Sequence, residues 1–283
     1  CIINATIKPV FYGTIAASLV GIPKIINLIT GLGSVFSKKD FKYFLIKTLY
    51  FISFKTISQN IIFQNNDDKD TIIKLNRFYK ATFFVIPGSG IPILNKKYIE
   101  IPEKKNIILI GRLIYEKGIN TFIKSARFIK KTRKDIFFTL VGPLDKENPS
   151  SISFDEIKKW KDENIIDWWG EVENINKVYE KASIVVLASI REGLPKVLLE
   201  AGLNSRPVIA TNVSGCRDVI LDGQTGYLFE YGDSLQLSNL ILKIIDNSKK
   251  MRKIGLNGKK YVIENFSEDI ILPKIYKVIM KSH

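Results

Sequence analysis

Two carboxylates frame the segment REGLPKVLLEAG, which runs from Arg191 to Gly202. Glu192 follows the apolar run 183–188, a predicted buried strand, so it lies in a loop at the carboxyl edge of a sheet. Pro195 suits the first turn of a helix, where its missing N–H costs nothing, and Glu200 then falls in the second turn. Carboxylates accept hydrogen bonds, and both could face one crevice if the helix runs along its wall. The alternative is a solvated loop acid and a surface helix acid.

A second candidate group lies in GRLIYEKG, from Gly111 to Gly118, between the predicted strand 106–110 and the predicted helix 120–131. Arg112 and Lys117 therefore lie near the carboxyl end of the sheet. Two cations beside a helix N-terminus could neutralise a diphosphate. By itself the segment favours a basic surface loop, because basic loops are common.

Two further motifs resemble ligand-binding motifs, but each favours a structural role instead. GLGSVF, from Gly31 to Phe36, resembles a dinucleotide fingerprint after a strand, but its last position is Phe36 rather than Gly or Ala, which argues against nicotinamide binding. DDKD, from Asp67 to Asp70, could hold a metal against a diphosphate. Its place at the start of a predicted helix favours capping of that helix instead.

The scarcity of histidine and cysteine excludes several kinds of site. The only histidine is His283, the last residue, so a histidine-based catalytic triad and histidine-ligated metal sites are excluded within this chain. Cys1 and Cys216 lie far apart in sequence and do not indicate a disulfide framework, which favours a reducing compartment.

The charge is strongly basic. The net charge is +15, from 43 basic and 28 acidic residues, and residues 1–100 carry +8 of it. Such a surface indicates an anionic partner such as phosphate, nucleic acid or an anionic membrane, or else a compositional bias towards lysine. No helix-turn-helix, zinc module or aromatic RNA-binding motif supports nucleic acid.

Short apolar runs alternate with helical patterns throughout the chain. The predicted strands are 1–4, 24–29, 60–63, 81–86, 106–110, 136–141, 165–169, 183–188, 207–210 and 226–229. The predicted helices are 12–19, 40–57, 67–79, 120–131, 154–164, 175–181, 195–202 and 215–221, with helices after 229. This alternation predicts an α/β fold with parallel sheets covered on both faces. An irregular stretch at 91–106 separates two such series, which predicts two Rossmann-like domains.

The order of these motifs resembles the retaining GT-B glycosyltransferases of family 4. GRLIYEKGI, LVGPLD, WWGEV, ASIREGLPKVLLEAG, RPVIATNVSGCRDVI and DGQTGYLF follow one another across 106–266. TIKPVFYG, ITGLGSVFS, IIFQNNDD and PGSGI in 1–105 are similar to the capsule and lipid-linked-oligosaccharide branch of that family. The resemblance implies a GT-B fold, in which the two Rossmann-like domains face a cleft.

The resemblance also implies roles for particular residues. Glu200 would bind the ribose hydroxyls of a nucleotide-sugar, and Glu192 would hold hydroxyls of the transferred sugar. Arg112 and Lys117 would bind the diphosphate, and with Glu192 they are the candidate catalytic residues. The remaining donor-binding candidates are Gly111, Gly142, Val172, Gly193, Leu194 and Pro195. Thr30, Gly31 and Gly33 would line the acceptor side of the cleft.

The implied reaction is transfer of a hexose or N-acetylhexosamine from a UDP-sugar with retention of configuration. The leaving phosphate would help to deprotonate the acceptor hydroxyl. No cofactor and no metal are expected, since two cations and a helix dipole would stabilise the leaving group. The acceptor would be a polyprenyl-diphosphate-linked sugar or a glycan in capsule, O-antigen or other surface polysaccharide synthesis.

The chain also departs from the family pattern. Thr30 stands where many members have histidine, and Pro92 where an acidic residue is frequent. The start of the first domain is missing from the pattern. We therefore expect a partial acceptor-side domain over 1–100, a donor domain over 101–265, and a C-terminal helix over 266–283 that packs on the first domain. A truncated nucleotide-sugar-binding protein without transfer activity is the alternative function.

The predicted helix over 40–57 mixes basic and aromatic residues. Lys38, Lys39, Lys42, Lys47 and Lys55 alternate there with Phe41, Phe44, Leu45, Leu49, Tyr50 and Phe54. Such a helix suits either an anionic membrane surface or packing within the domain. The lysines argue against a membrane-spanning segment. With the resemblance, the pattern predicts a cytoplasmic protein peripheral to the inner face of the plasma membrane.

Overall fold

A computed structural model of the chain describes residues 1–33, 36, 41–55, 59–75, 81–93 and 98–281. The chain divides into two compact units. The first unit comprises Cys1–Pro92, Arg191–Leu194 and Asn265–His283, and the second comprises Ile93–Ile190 and Pro195–Glu264.

Strands and helices alternate along the chain. The first series is β1 (Ile2–Ala5), α1 (Ile7–Leu19), β2 (Ile25–Ile29), α2 (Phe41–Lys55), β3 (Gln59–Phe63), α3 (Asn66–Leu75) and β4 (Ala81–Val85). The second series is β5 (Asn106–Ile110), α4 (Ile119–Lys130), β6 (Phe137–Val141), α5 (Phe154–Asp162), β7 (Asp167–Trp168), α6 (Ile175–Glu180), β8 (Ile184–Leu187), α7 (Lys196–Leu203), β9 (Val208–Thr211), α8 (Ser214–Val219), β10 (Tyr227–Phe229), α9 (Ser234–Ile245), α10 (Ser248–Phe266) and α11 (Glu268–Lys281).

The sheet of the first unit has the order β1-β2-β3-β4, and all its described pairs are parallel. One face packs against α1 and α2, where Phe11 and Tyr50 share a core with Ile61. The other face packs against α11, where Ile271 shares a core with Ile62. Both faces are thus covered, as the continuous apolar strands predicted.

A network of buried polar side chains links neighbouring strands of this first sheet. Asn27 of β2 is fully buried and exchanges hydrogen bonds with Thr14 at 2.9 and 3.1 Å. It also accepts from Asn4 of β1 at 2.9 Å and donates to Gln59 of β3. The absence of a side chain at Gly13 makes space for the Asn4 side chain, because a Cβ there would lie 2.1 Å from Oδ1 of Asn4. The network ties three neighbouring strands together, and each member satisfies another that would be costly to bury alone.

The sheet of the second unit has the order β10-β9-β8-β5-β6-β7, again with parallel pairs. All five residues of β5 are buried, which explains the apolar run after Asn106, and the Asn106 side chain accepts a hydrogen bond from Thr139 of β6 at 2.9 Å. After β5, the chain adds β6 and then β7 on one side of β5. It then returns to form β8 on the opposite side of β5, and β9 and β10 follow beyond β8. The strand order therefore reverses between β5 and β8.

A buried arginine fixes the start of the second unit. Arg206 is fully buried and donates to the backbone carbonyls of Asn204 at 2.8 Å and Ala182 at 3.0 Å. It also donates to the carbonyls of Ile99 and Glu100, the latter at 2.8 Å. Burial lowers its pKa to about 10. The stretch predicted as an irregular linker is thus anchored at residues 99–100, while Leu94–Lys97 lie outside the described residues.

The structure corrects several predicted boundaries. The first helix begins at Ile7 rather than at 12, because Pro9 fits a first helical turn. The strand predicted over 165–169 is limited to β7, the two residues that pair with β6. Pro195 is the N-cap of α7, with extended ψ of 101°, rather than its first helical residue. The predicted helix residues 40, 56–57 and 76–79, like Lys38 and Lys39, lie outside the described residues.

No helix in the described ranges combines the length and the apolar character needed to cross a lipid bilayer.

Candidate functional site

The point where the strand order reverses in the second unit defines the candidate site. In open parallel sheets, ligands bind in the crevice beyond the carboxyl ends of the strands at such a switch point. Gly111 and Arg112 follow β5 directly, and Ala188 and Ser189 follow β8. The two segments that flank the switch point therefore include the GRLIYEKG motif and the residues that lead into REGLP.

Three glycines end the neighbouring strands β5, β6 and β7. A Cβ on Gly142 would lie 1.9 Å from the carbonyl oxygen of Gly111, and Gly142 has a φ of +138°. The amide of Gly142 donates to the carbonyl of Gly170 at 2.7 Å. The three turns therefore pack backbone against backbone, which side chains would prevent. Two predicted donor-binding residues, Gly111 and Gly142, are brought together in this way.

Arg112 is exposed at this edge and already has a partner. Its Nη1 lies 2.9 Å from Oδ2 of Asp145, and the Arg112 side chain is 60% exposed. Asp145 also accepts from Asn148 at 3.3 Å. An exposed ion pair of this kind is weak, so an anionic ligand can compete for the guanidinium. No local pattern in the sequence identifies Asp145 as its partner.

Lys117 ends a 3-10 turn, Tyr115–Lys117, that packs on the end of β8. Gly118 follows with a φ of +69°, and a Cβ on it would lie 2.0 Å from the carbonyl oxygen of Ala188. The amide of Ile190 donates to the carbonyl of Glu116 at 2.9 Å. These contacts bring the turn that carries Lys117 across from β5 to the opposite side of the switch point.

Val172 lies half-buried in the loop after Gly170. The indole nitrogen of Trp168 donates to the carbonyl of Gly142 at 3.0 Å, which holds the end of β7 against the Gly142 turn. Val172 therefore belongs to the same edge of the sheet as Gly111 and Gly142.

Glu200 lies in α7 and is held by a tyrosine. Oη of Tyr179 donates to Oε2 of Glu200 at 2.8 Å, and Nζ of Lys196 lies 3.7 Å from Oε1. Tyr179 is fully buried, and burial, followed by the charge of Glu200 and their hydrogen bond, raises the pKa of its phenol. The phenol therefore stays protonated and donates. The Glu200 side chain is 23% exposed, and a carboxylate has further lone pairs that can accept from a ligand.

Glu192 belongs to the first unit, with the rest of Arg191–Leu194. A Cβ on Gly193 would lie 2.1 Å from the carbonyl oxygen of Thr30. A Cβ on Gly31 would lie 3.4 Å from Cα of Gly193, and a Cβ on Gly88 would lie 2.6 Å from Cδ2 of Leu194. The structure thus brings Thr30 and Gly31 against Gly193.

The backbone conformation of the Thr30–Gly33 loop depends on two glycines. Gly31 has a φ of +134° and Gly33 a φ of +70°, both in the region that favours glycine. Leu32 between them is fully buried, and its amide donates to Oδ2 of Asp68 at 3.3 Å. The loop is therefore pinned at its middle residue.

The structure corrects the interpretation of DDKD as helix capping. Asp67 and Asp68 do lie in the first turn of α3, but the cap is Asn65, whose Oδ1 accepts from the amide of Asp68 at 2.8 Å. The Asp68 side chain is 2% exposed and pairs with Arg191 at 2.7 Å. Across the described residues, no three His, Cys, Asp or Glu side chains gather as metal ligands would.

Comparison with known proteins gives the family. Residues 91–261 match the family model for glycosyl transferases group 1. A capsular polysaccharide biosynthesis glycosyltransferase, CapM of Staphylococcus aureus, is 29% identical over 294 residues, which cover 98% of this chain and 76% of that protein. An N,N'-diacetylbacillosaminyl-diphospho-undecaprenol alpha-1,3-N-acetylgalactosaminyltransferase of Campylobacter jejuni is 27% identical over 97% of this chain and 75% of its own length.

Solved structures agree on the fold. Anabaena HepE in complex with UDP superposes with a TM-score of 0.80 at 19% identity, over 98% of this chain and 78% of that one. The likeness extends over both parallel sheets, as the GT-B architecture requires. The chain belongs to the glycosyl transferases group 1 family and is a glycosyltransferase of the GT-B fold.

Proposed function

We propose that the protein transfers a hexose or N-acetylhexosamine from a UDP-sugar to a lipid-linked or glycan acceptor, with retention of configuration. The pathway is synthesis of a capsule, an O-antigen or another surface polysaccharide. The names of the relatives support this class of reaction, since CapM is a capsule enzyme and the Campylobacter relative acts on a diphospho-undecaprenol acceptor. HepE, which has been solved with UDP bound, supports the choice of donor.

The observation that carries the proposal is the strand reversal between β5 and β8, with the Lys117 turn packed on the end of β8. In this proposal Arg112 and Lys117 bind the diphosphate of the donor. Glu200 accepts hydrogen bonds from the ribose hydroxyls, and the base lies near Val172. The Arg112 side chain is exposed and the Glu200 side chain is partly exposed, so both are accessible to a ligand.

The chemical step exchanges one bond for another at the anomeric carbon. The bond to the UDP oxygen breaks while a bond to the acceptor oxygen forms on the same face of the sugar. The acceptor proton passes to an oxygen of the leaving phosphate. Arg112 and Lys117 stabilise the negative charge that develops on UDP, which is the place where electrostatic catalysis acts. Glu192 holds hydroxyls of the transferred sugar, and the proposal requires no metal.

The Thr30–Gly33 loop is assigned to the acceptor in this proposal. A lipid-linked acceptor implies that the protein works at the inner face of the plasma membrane from the cytoplasm. Helix α2 supports that location, because Phe41, Phe44 and Leu45 are 81%, 55% and 51% exposed. Phe44, Lys47, Thr48 and Phe51 line a pocket of about 230 Å³ on the same helix. Exposed aromatic residues beside lysine suit an anionic lipid surface.

The test combines binding with transfer. Calorimetric titration with UDP measures the nucleotide site, and UDP release in the presence of a synthetic polyprenyl-diphosphate-linked sugar measures transfer. Glu200→Ala and Lys117→Ala should each weaken UDP-sugar binding about tenfold or more, since each removes a charged hydrogen-bonding group. Glu163→Ala and Lys161→Ala, on exposed residues next to the end of α5, are matched controls.

Unchanged affinity in both site variants would rule out this assignment of the site. UDP binding without UDP release for any of the four common donors (UDP-glucose, UDP-galactose and their N-acetylamino forms) would favour a nucleotide-sugar-binding protein without transfer activity.

A further inference from the structure

The segment between β3 and α3, Gln64–Asp68, contacts the loop that carries Glu192. Three of its side chains take part: Gln64, Asn65 and Asp68. Both segments belong to the first unit, although they lie more than a hundred residues apart in sequence. None of these three side chains contacts donor or acceptor in the proposed function, although Asp68 also holds the amide of Leu32 in the Thr30–Gly33 loop.

Asp68 is the centre of the contact. Its carboxylate is 2% exposed and lies 2.7 Å from Nη2 of Arg191, whose side chain is 24% exposed. It also accepts from Nδ2 of Asn65 at 3.2 Å and from the amide of Leu32 at 3.3 Å. A buried carboxylate with three donors is held firmly, and the removal of its charge leaves the guanidinium without its closest anion.

Asn65 connects Asp68 to the backbone of the loop. Its Oδ1 caps α3 by accepting from the amide of Asp68 at 2.8 Å. Its Nδ2 donates to the carbonyl oxygen of Gly193 at 3.1 Å. Both ends of the amide are therefore used, which fixes its orientation.

Gly193 packs closely against Thr30 and Gln64. A Cβ there would lie 2.1 Å from the carbonyl oxygen of Thr30 and 2.7 Å from Oε1 of Gln64. Arg191 is held through its side chain and Gly193 through its backbone. Glu192 lies between these two fixed residues, so its Cα has little freedom.

We propose that Asp68 and Asn65 are positioning residues for Glu192, acting through Arg191 and Gly193. The inference rests on the proposed function, in which Glu192 holds the transferred sugar. Displacement of that carboxylate by a fraction of an ångström lowers the rate of transfer, because the sugar is no longer held in a reactive geometry. The nucleotide is bound by residues of the second unit, so its affinity does not depend on Asp68.

The experiment is a double-mutant cycle on the purified protein. Asp68→Asn and Arg191→Gln each remove one side of the ion pair while keeping the size of the side chain similar. Asp70→Asn, in the same helix but 56% exposed, is the matched control. The readouts are kcat with the preferred donor among the four UDP-sugars named above and a synthetic polyprenyl-diphosphate-linked acceptor, together with the Kd and stoichiometry of UDP.

We expect Asp68→Asn and Arg191→Gln each to lower kcat about ten- to a hundredfold, with the Kd and stoichiometry of UDP unchanged within about twofold. The double variant should be no slower than the slower single variant, because both break the same contact. Asp70→Asn should behave as the wild type. If Asp68→Asn does not fold, Arg191→Gln on the partly exposed partner still decides the question.

Three results would overturn the inference. These are an unchanged kcat in both single variants, multiplicative losses in the double variant, or a parallel fall in UDP stoichiometry that reveals mere unfolding. Failure of the wild type to bind UDP would instead overturn the proposed function, and this inference with it.

Discussion

The phenol of Tyr179 donates to Oε2 of Glu200 at 2.8 Å, from a ring that is fully buried between the elements of the second unit. Glu200 is thereby held at Oε2, while its side chain remains 23% exposed. In the proposed function this carboxylate accepts hydrogen bonds from two ribose hydroxyls, and preorganisation favours that contact because less rotamer freedom is lost when the ligand binds.

Tyr179→Phe should therefore weaken UDP binding by about three- to tenfold, because the carboxylate remains and loses only the contact that preorganises it. The measurement is calorimetric titration with UDP and with 2′-deoxy-UDP. The variant should lose more affinity for UDP than for the deoxy analogue, because only the former has the full set of ribose hydroxyls. Tyr261→Phe, which removes a hydrogen bond from a tyrosine of α10 to the carbonyl oxygen of Asp218, is the control. Equal losses for both ligands would contradict the role.

Helix α2 should bind anionic membranes. Phe41→Ser with Phe44→Ser should lower the affinity for phosphatidylglycerol-containing vesicles at least about fivefold, which corresponds to about 1 kcal/mol of lost apolar burial. Sedimentation with vesicles at increasing salt is the measurement, and binding should weaken as salt screens the lysines. Leu235→Ser, at a residue 53% exposed on α9, is the control. If the wild type does not bind these vesicles at low salt, the proposal of membrane association is wrong.

Arg206→Met should destabilise the second unit by about 3 kcal/mol or more, because several buried carbonyls lose their donor at once. Urea unfolding followed by tryptophan fluorescence measures this directly, since Trp160, Trp168 and Trp169 all lie in the second unit. Arg206→Lys should recover part of the loss, because one ammonium group cannot reach every carbonyl. A methionine variant as stable as the wild type would show that the anchor at residues 99–100 is unimportant.

The ionised carboxylate of Asp246 should stabilise the fold, and this contribution should be lost at strongly acidic pH. Hydrogen bonds from Arg133 and Lys105 lower its pKa to about 2, against about 3.9 in an unfolded chain. The folded-state pKa is the lower of the two, so the contribution is complete above about pH 4 and is lost as the pH falls towards about 2.

Asp246→Asn should therefore be less stable than the wild type at pH 7, by less than about 1 kcal/mol for so exposed an ion pair. The difference should vanish near pH 2. Urea titrations at the two pH values measure it, with Asp162→Asn at the exposed end of α5 as the control. A difference that persists undiminished at pH 2 would contradict the ion pair as its cause.

Much of the architecture was predictable because it depends on local pattern. NIILI is a strand at the predicted residues 106–110, since four consecutive apolar residues after Asn106 are typical of a short strand that is buried on both faces. The alternation of such runs with helices gave two parallel sheets, and the order of the motifs around Glu192 and Glu200 indicated the family. The misplaced boundaries, such as the N-cap at Pro195, are one- to five-residue errors of local pattern.

The sequence by itself determined which residues form strands, which glycines end them and which family the motifs indicate. Only the tertiary structure decided the partners of the functional side chains: Tyr179 for Glu200, Asp145 for Arg112, and Asp68 for Arg191. The physical reason is that strand order and helix packing bring distant segments together, and no local spacing encodes that order. Asp68 illustrates the difference, since its place in the first turn of α3 predicted a cap, while the structure buries it in an ion pair with Arg191.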